Sequence, residues 1–341
     1  MNNKVVSETL TIEKRRYIGC KAKLVSWITG VIKELPGVHS FCDIFAGTAV
    51  VSSNLITHFD RVYINDFLHS NNVIYTAFFE DSDCDDRKLI NIIDNYNQIK
   101  SETLVDNYFS INYGGKFFDY DTSKKIGFIR QDIENIKEKL TWKEYCILIT
   151  SLIYAMDRIA NTIGHYEAYI KKEIKPQSLV IKLIDYKRYK NVTLFKQDAN
   201  ILAKSIKADV VYIDPPYNSR QYSRFYHVYE TLVKWDMPEL YGTAMKPAEE
   251  NMSAYCSSKA PIAFADLIQS LDTKYIVVSY NNTYNSKSKS SQNKISLEQI
   301  LEVLNAKGET KVLEHKHQYF NAGKTQFDNH KELLFVTKVN G

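Results

Sequence analysis

The tetrapeptide Asp214-Pro215-Pro216-Tyr217 combines residue types that can hold and activate a flat, weakly nucleophilic amine. An amino group on an aromatic ring is a poor nucleophile because its lone pair is delocalised into the ring. The carboxylate of Asp214 and the backbone carbonyl of Pro215 can each accept one of its two N–H bonds, which favours a tetrahedral nitrogen. Two prolines stiffen the turn and remove backbone donors, and the Tyr217 ring can stack on a flat base, which contributes roughly 1–3 kcal/mol. Alone, the tetrapeptide is equally well explained as a turn that ends a strand.

The elements around the tetrapeptide favour a parallel sheet. The apolar run VVYI before Asp214 predicts a strand, and ligands of open α/β sheets bind beyond the carboxyl ends of such strands. Upstream, HSFCDIF predicts a short buried strand that ends at Asp43, and RVYIND predicts a second strand that ends in Asp66. A turn and a helix separate these two strands. This strand–turn–helix–strand order is typical of the opening of an α/β fold.

The pattern also predicts the domain organisation. Residues 1–80 and 191–341 are expected to form an α/β core with a mixed sheet, which closes in a C-terminal antiparallel hairpin. Residues 81–190 are rich in charge and Asn, appear mainly helical, and are too long for a connector. We interpret them as an insertion with a function of its own.

Composition bounds the class of protein. The 341 residues are 44% hydrophobic and 25% charged with a net charge of +4, which excludes disorder as the main state and permits a polyanionic partner without requiring one. The five cysteines form no CxxC pair, and the histidines have no metal-binding spacing, so neither a disulfide framework nor a metal site is expected. No signal peptide or membrane-spanning run is visible, and we expect a cytoplasmic protein.

Three motifs in order resemble the Dam-like D12 class of adenine-N6 DNA methyltransferases. They are RRYIGCKAKL, then FCDIFAGTAVVS and, after the insertion, VVYIDPPYNSRQY. The resemblance covers most of the chain outside the insertion and is closer to methyltransferases of restriction–modification systems than to Dam itself. It implies a Rossmann-like S-adenosylmethionine-dependent methyltransferase fold. The implied enzyme is a site-specific DNA-methyltransferase (adenine-specific), which methylates the exocyclic amine of an adenine flipped out of double-stranded DNA. Its partners would be that DNA and a cognate restriction endonuclease.

The resemblance also implies contacts to the cofactor S-adenosylmethionine. Tyr17 would flank the cofactor and Lys21 would meet its carboxylate or a nearby phosphate, although both residues also fit a solvated, basic helix start. In the loop that begins at Asp43 and Phe45, Gly47 would let the backbone pass close to the methionine part. The family frequently has a second glycine where Ala49 stands. The GxGxxG fingerprint of dinucleotide-binding dehydrogenases is absent.

Two further acids are implied to contact the cofactor. Asp66 lies 23 positions after Asp43, a spacing that fits an acid bound to ribose hydroxyls. A plain Asn65-Asp66 turn remains an alternative. Asp198, in FKQDA, resembles the acid that contacts the adenine amine of the cofactor.

The insertion is the predicted DNA-recognition region. It contains lysines beside the loop NTIGHYEAYIKK, in which His165, Tyr166 and Glu167 are candidate readers of base edges. A helical lid that only stabilises the core is the alternative. A lysine-rich loop near 283–294 is a second candidate for holding DNA.

The segment NSRQYSRFYHVYETL follows the tetrapeptide and contains Arg220, Arg224 and His227. It could close over the flipped base or contact phosphates, or it could be a buried amphipathic helix. Two other functions remain open at this point. One is methylation of RNA adenine or of a protein glutamine, and the other is DNA binding without catalysis.

Overall fold

The computed structural model describes residue 12 and residues 15–282, 292–316 and 331–340. Within these ranges the strands are β1 (Ser40–Asp43), β2 (Arg61–Asn65), β3 (Val192–Phe195), β4 (Val210–Ile213), β5 (Tyr275–Asn281), β6 (Gly308–Lys316) and β7 (Lys331–Val339). The helices are α1 (Val25–Lys33), α2 (Val50–Leu55), α3 (His69–Phe79), α4 (Asp86–Gln98), α5 (Tyr108–Tyr113), α6 (Tyr120–Asn135), α7 (Trp142–Ile159), α8 (Ala199–Ala203), α9 (Tyr222–Phe225), α10 (His227–Lys234), α11 (Ala260–Ser270) and α12 (Leu297–Lys307). Short 3₁₀ turns occupy Lys21–Lys23, Ser101–Thr103, Lys137–Lys139 and Ala254–Cys256.

The chain forms two compact units. We call them the sheet unit, made of Lys21–Phe67, Phe195–Gln221 and Asn251–Gly341, and the helical unit, made of the chain up to Cys20, Leu68–Leu194 and Tyr222–Glu250. The predicted insertion 81–190 lies inside the helical unit, which also includes most of the segment after the tetrapeptide, from Tyr222 onward. The domain bounds inferred from the sequence stay a prediction.

The described strands form one seven-stranded sheet in the order β3-β2-β1-β4-β5-β7-β6. Strand β1 pairs in parallel with β2 and β4, and β4 pairs in parallel with β5. Strand β7 pairs antiparallel with both β5 and β6. The mixed α/β sheet and its C-terminal antiparallel hairpin are thus confirmed.

The central strands are buried along their whole length because both faces of the sheet are covered. Every residue of β1, β4 and β5 is buried. One face of the sheet contributes Val211, Ile213, Ile276 and Val278 to a core that also contains Phe264 and Leu267 of α11. This packing fixes the strand ends from which the functional side chains extend.

The helical unit is built around α7, in which every residue from Lys143 to Met156 is buried. Its start at Thr141 has a capping box, because the Thr141 side chain accepts from the backbone of Glu144 and the Glu144 side chain accepts from the backbone of Thr141. The helices expected from DIENIKEKL and WKEYCILITSLIYAMDRIA are present as parts of α6 and α7. Residues 160–191, which include the loop NTIGHYEAYIKK, contain neither helix nor strand.

Candidate active site

Three carboxylates follow the carboxyl ends of adjacent parallel strands. Strand pairing aligns Asp43 with Ile64 of β2 and with Tyr212 of β4. Asp66 and Asp214 each lie two residues beyond those partners. The three acids therefore share the edge of the sheet at which open α/β folds bind ligands.

Asp214 lies in a compact network with Lys21 and Tyr217. The Nζ atom of Lys21 is 3.0 Å from Oδ1 of Asp214 and donates to the Tyr217 hydroxyl at 2.6 Å. That hydroxyl in turn donates to the same Oδ1 atom. The side chains of Lys21 and Asp214 are only 7% and 16% exposed. The ion pair is therefore largely shielded from water.

Burial dominates the electrostatics of this network. It raises the pKa of Asp214 above its usual value, while the Lys21 ammonium and the Tyr217 hydroxyl oppose the rise. Burial would lower the pKa of Lys21, yet the carboxylates of Asp214 and Glu332 raise it on balance. Lys21 therefore stays protonated and favours the ionised form of Asp214.

The ring of Tyr217 is packed on protein groups. It meets Tyr280 edge-on with ring centroids 4.8 Å apart, and the Lys21 ammonium lies 4.7 Å from its centroid. The backbone amide of Lys294 donates to the Tyr217 carbonyl at 2.8 Å. Pro215, next to the acid, is buried. These contacts hold the tetrapeptide rigidly, and the stacking role predicted for Tyr217 stays a prediction.

Asp43 ends β1 and is 1% exposed. Its Oδ2 atom accepts from the Ser52 hydroxyl at 2.7 Å, whereas Oδ1 has no hydrogen-bond partner among the described residues. Burial raises the pKa of Asp43 to about 7, the Ser52 hydroxyl opposes the rise, and the carboxylates of Asp214 and Asp66 add to it. Such a buried, unmatched acceptor oxygen suits a donor or a cation supplied by a ligand.

The loop after β1 is organised by Asp66. Its Oδ2 atom accepts from the backbone amide of Gly47 at 2.9 Å. Gly47 has φ +54° and Ala49 has φ +55°. Both values lie in the left-handed region, which costs a residue with a Cβ atom roughly 1–2 kcal/mol. Ala49 thus adopts a backbone conformation that glycine would adopt without strain, in agreement with the glycine that the family often has there.

The other predicted cofactor residues of the sheet unit have structural partners. Asp198 is the N-cap of α8, where its Oδ1 atom accepts from the amide of Asn200 at 2.9 Å. The Phe45 ring meets Tyr255 edge-on with centroids 5.1 Å apart. The cofactor contacts predicted for Asp198 and Phe45 stay predictions.

Tyr17 belongs to the helical unit, where it packs in an aromatic cluster. Its ring stacks on Tyr226 with centroids 4.6 Å apart, and the Arg15 guanidinium carbon lies 4.8 Å from its centroid. The Tyr17 hydroxyl accepts from the side-chain amide of Asn71 at 3.3 Å. The cofactor contact of Tyr17 stays a prediction.

Two contributors to the site were missed in the sequence. The buried Asn65 donates from its amide to the carbonyls of Ile44 and Gln197, at 2.9 and 3.1 Å, and so ties together the segments that follow β1 and β3. The other is Glu332, at the start of β7, whose charge acts on both Lys21 and Asp214. No local signal marks Glu332, since it lies far along the chain from both partners.

The segment after the tetrapeptide is largely a buried helix. His227 is 1% exposed, and its two ring nitrogens lie 2.9 and 2.8 Å from the carbonyls of Arg224 and Ala244. Burial lowers the pKa of His227 to about 4, while the hydrogen bonds to the two carbonyls oppose this fall. The guanidinium of Arg224 donates to the Pro247 carbonyl at 2.6 Å. Of the two interpretations of this segment, the structure favours the buried helix for His227.

The prediction that Tyr166 contacts DNA bases is wrong, because its side chain is buried. Tyr166 is 2% exposed and packs edge-on against Tyr229 and Phe117. The neighbouring His165 stacks on Phe225 with centroids 4.6 Å apart, whereas Glu167 is exposed. The side chain of Tyr166 is buried within this irregular loop, which its residue type alone did not indicate.

Two absences concern only the described ranges. Within them, no group of three or more His, Cys, Asp or Glu side chains could hold a metal ion. No helix there is both long enough and apolar enough to cross a bilayer. The lysine-rich loop near 283–294 and His317 lie mostly or wholly outside the described residues.

The residues at the sheet edge fit the cofactor that the resemblance implies. S-adenosylmethionine carries a sulfonium and an ammonium group, and the edge offers three clustered carboxylates with an unmatched buried oxygen on Asp43. Gly47 has no side chain, so a ligand can approach the backbone of the adjoining turn closely. A cationic ligand would offset both the burial and the carboxylate repulsion that raise the pKa of Asp43.

Comparison with known proteins agrees with this geometry. The model of the family "D12 class N6 adenine-specific DNA methyltransferase" matches residues 17–295. Type II methyltransferase M.NlaIII of Neisseria lactamica is 30% identical over 332 residues, which cover 92% of this chain and 95% of that protein. Modification methylase StsI of Streptococcus sanguinis is 36% identical, and type II methyltransferase M.FokI of Planomicrobium okeanokoites is 32% identical. Each of these two matches covers 78% of this chain and 44% of the relative. Since the family model and M.NlaIII both match most of its length, the chain belongs to the D12 class of N6 adenine-specific DNA methyltransferases.

Proposed function

We propose that this DNA adenine methyltransferase uses Asp214 to accept the target amine and the sheet-edge acids to hold its cofactor. The observation that carries this proposal is the position of Asp214, directly after β4 and beside the strand end that bears Asp43. A base must leave the duplex to reach such a site, at a cost of a few kcal/mol. The rival substrates, RNA adenine and protein glutamine, and the non-catalytic alternative are not favoured by the family assignment.

The chemistry assigns a role to each group. S-adenosylmethionine supplies a methyl group bound to a sulfonium, which leaves as a neutral thioether. Asp214 and the Pro215 carbonyl accept the two N–H bonds of the target amine, so that its lone pair becomes available to form the new N–C bond. The negative charge of Asp214 then stabilises the positive charge that develops on nitrogen. The surplus proton leaves the product amine through that carboxylate to water.

The proposed cofactor contacts are those at the edge of the sheet, and the contact of Tyr17 stays a prediction. Asp66 is a proposed partner of the ribose hydroxyls, and Asp198 of the cofactor's adenine amine. Asp43 and Gly47 are proposed to meet the methionine part, with Phe45 beside them. The role of Lys21 is developed separately below, because its observed partner is Asp214.

DNA recognition is proposed to lie in residues 160–182 of the helical unit. This irregular segment carries the exposed Lys171, Lys172 and Lys175, and Ile163 is 71% exposed at its beginning. Cationic side chains on an exposed loop can contact phosphates, and the resulting binding weakens as salt rises. The loop is also anchored, since Glu167 pairs with Lys246 at 2.6 Å. A braced, exposed and basic segment supports a role in contacting a polyanion.

We further propose that the protein works beside a cognate restriction endonuclease. The relatives M.NlaIII and M.FokI are named type II methyltransferases, which supports this assignment without identifying the endonuclease. The proposed compartment is the one that holds the DNA, which is the cytoplasm in a cell without a nucleus.

Methylome sequencing of cells that express the protein tests the function. The expected result is N6-methyladenine at nearly every copy of one short motif, and none in cells that express Asp214→Asn as the matched control. DNA carrying that mark should resist an endonuclease specific for the same motif. Modified adenines in RNA with unmodified DNA would contradict the proposal.

A further inference from the structure

The two carboxylate oxygens of Asp214 are in different environments. Oδ1 receives both donors that reach this side chain within the described ranges, the Lys21 ammonium at 3.0 Å and the Tyr217 hydroxyl. The ammonium also donates to that hydroxyl at 2.6 Å, so the three groups close a ring of hydrogen bonds. Oδ2 is the oxygen left to accept a further hydrogen bond from a ligand.

Charged and titratable groups face Asp214 from several elements. They are Lys21 in the 3₁₀ turn before α1, Asp43 at the end of β1, Tyr212 in β4, Tyr217 in the tetrapeptide and Glu332 in β7. Among these, Lys21 supplies the positive charge. Burial and the negative charges of Asp43 and Glu332 all favour a protonated, neutral Asp214. A neutral carboxyl would stabilise positive charge on the target nitrogen far less than a carboxylate does.

We propose that Lys21 is a positioning residue that occupies Oδ1 of Asp214 and thereby presents Oδ2, as part of an ionised carboxylate, to the target amine. This inference rests on the proposed role of Asp214. It assigns Lys21 to the catalytic acid, in place of the cofactor carboxylate expected from the sequence. The compact ammonium suits this position because it satisfies two acceptors while its stem remains buried.

Tyr217 also contributes to the position of Lys21. The Lys21 ammonium lies at the hydroxyl end of the Tyr217 ring, 2.6 Å from the hydroxyl oxygen and 4.7 Å from the ring centroid. Lys21 is thus held by a carboxylate and a hydroxyl. A side chain so constrained can fix the rotation of the carboxylate that it binds.

The test compares Lys21→Met with Lys21→Arg in single-turnover methylation of duplex DNA between pH 5.5 and 9. Methionine keeps the length of the stem and removes the charge, whereas arginine keeps the charge. We expect the Lys21→Met deficit relative to wild type to be several-fold larger at pH 6 than at pH 9, with tenfold as the limit for each unit by which the pKa of Asp214 rises. Lys21→Arg should restore most of the rate at pH 6. Asp43 titrates in all three proteins, and the assigned NMR resonance described below separates its titration from that of Asp214.

Two further measurements, of cofactor binding and of the Asp214 titration, do not depend on catalysis. Calorimetry should show that Lys21→Met binds S-adenosylmethionine within about threefold of wild type. Carboxyl ¹³C NMR, assigned with Asp214→Asn, should show the pKa of Asp214 higher by at least one unit in Lys21→Met. Tyr217→Phe, which removes the other donor to Oδ1, should shift the same resonance in the same direction by a smaller amount, and it serves if Lys21→Met does not fold.

The outcomes separate the possible failures. A deficit that is equal at all pH values, with an unmoved Asp214 resonance, overturns the inference. A loss of cofactor affinity above tenfold with normal Asp214 titration would return Lys21 to the cofactor. A wild-type protein that leaves DNA unmethylated while Asp214 titrates as expected would refute the proposed function and leave the Lys21 contact standing.

Discussion

Replacing Asp43 by asparagine should remove a pH-dependent loss of stability. Asp43 is 1% exposed, and burial is the main reason why its pKa rises from 3.8 to about 7. Between these two values the folded protein holds a proton that the unfolded chain has already released. The free energy of unfolding therefore falls as pH rises through that window, and the penalty is complete above about pH 7.

The magnitude follows from the shift in pKa. At 1.36 kcal/mol per unit, a rise from 3.8 to about 7 costs roughly 4 kcal/mol once Asp43 is ionised. About 2.5 kcal/mol of this loss develops between pH 5 and pH 8. Asparagine cannot ionise, and its oxygen can still accept from the Ser52 hydroxyl, which lies 2.7 Å away in the wild type. Its amide nitrogen would lack a partner, at a cost of about 1–3 kcal/mol that does not depend on pH.

Urea unfolding of both proteins at pH 5, 6, 7 and 8 measures this effect. The stability of Asp43→Asn relative to wild type should increase by about 2.5 kcal/mol from pH 5 to pH 8. Other titrating groups are common to both proteins and cancel. Ser52→Ala serves as a matched control, because it removes the hydroxyl that lowers the pKa of Asp43 and should steepen the dependence. The reasoning is refuted if the difference in the free energy of unfolding between Asp43→Asn and wild type stays constant within about 0.5 kcal/mol across these pH values. A change of that size is no larger than the contribution of one surface salt bridge.

The same carboxyl should release a proton when S-adenosylmethionine binds. The cation would favour the ionised form, and at pH 6.5 a group of pKa about 7 is roughly three-quarters protonated beforehand. Calorimetry in buffers of different ionisation enthalpy should therefore show about three-quarters of a proton released by wild type and almost none by Asp43→Asn. Equal proton release by the two proteins would remove Asp43 from the cofactor site.

Five further substitutions test the remaining assignments. Asp214→Asn should abolish methylation yet bind S-adenosylmethionine within about tenfold of wild type, or 1.4 kcal/mol; an active variant would exclude Asp214 as the acceptor. Asp214→Ala should in addition lower the free energy of unfolding by about 3 kcal/mol, because it leaves the buried charge of Lys21 without its main partner. Asp66→Ala should weaken cofactor binding by roughly 1.5–3 kcal/mol, since hydrogen bonds to a charged group are lost; an unchanged dissociation constant would favour the turn interpretation. Glu167→Ala should relax the choice of methylated site, whereas Lys171→Ala should weaken binding to all sequences and flatten the salt dependence by about one unit of slope. If both variants keep the parental site preference and salt slope, residues 160–182 do not contact the DNA.

The elements that carry the chemistry were predictable because their signals are local. The strands before Asp43, Asp66 and Asp214 appear as short apolar runs, since both faces of a covered parallel sheet are buried. The helix α7 begins at a capping box that is visible as TWKE. Periodicity, caps and turn residues depend on neighbours within a few positions, so that they can be inferred without knowing the fold.

The partners of these residues were decided only by the tertiary structure. Lys21 was expected against the cofactor, and it lies on Asp214, a residue 193 positions away along the chain. Glu332 had no motif to mark it, yet its charge acts on both members of that pair. Tyr166 looked like an exposed aromatic reader and is buried instead. Which distant side chains meet, and which side of a loop faces inward, depends on how the whole chain packs. The spacing of residues in the sequence therefore determined the strand ends and their acids, while the protonation and orientation of those acids were determined by contacts between segments far apart in the chain.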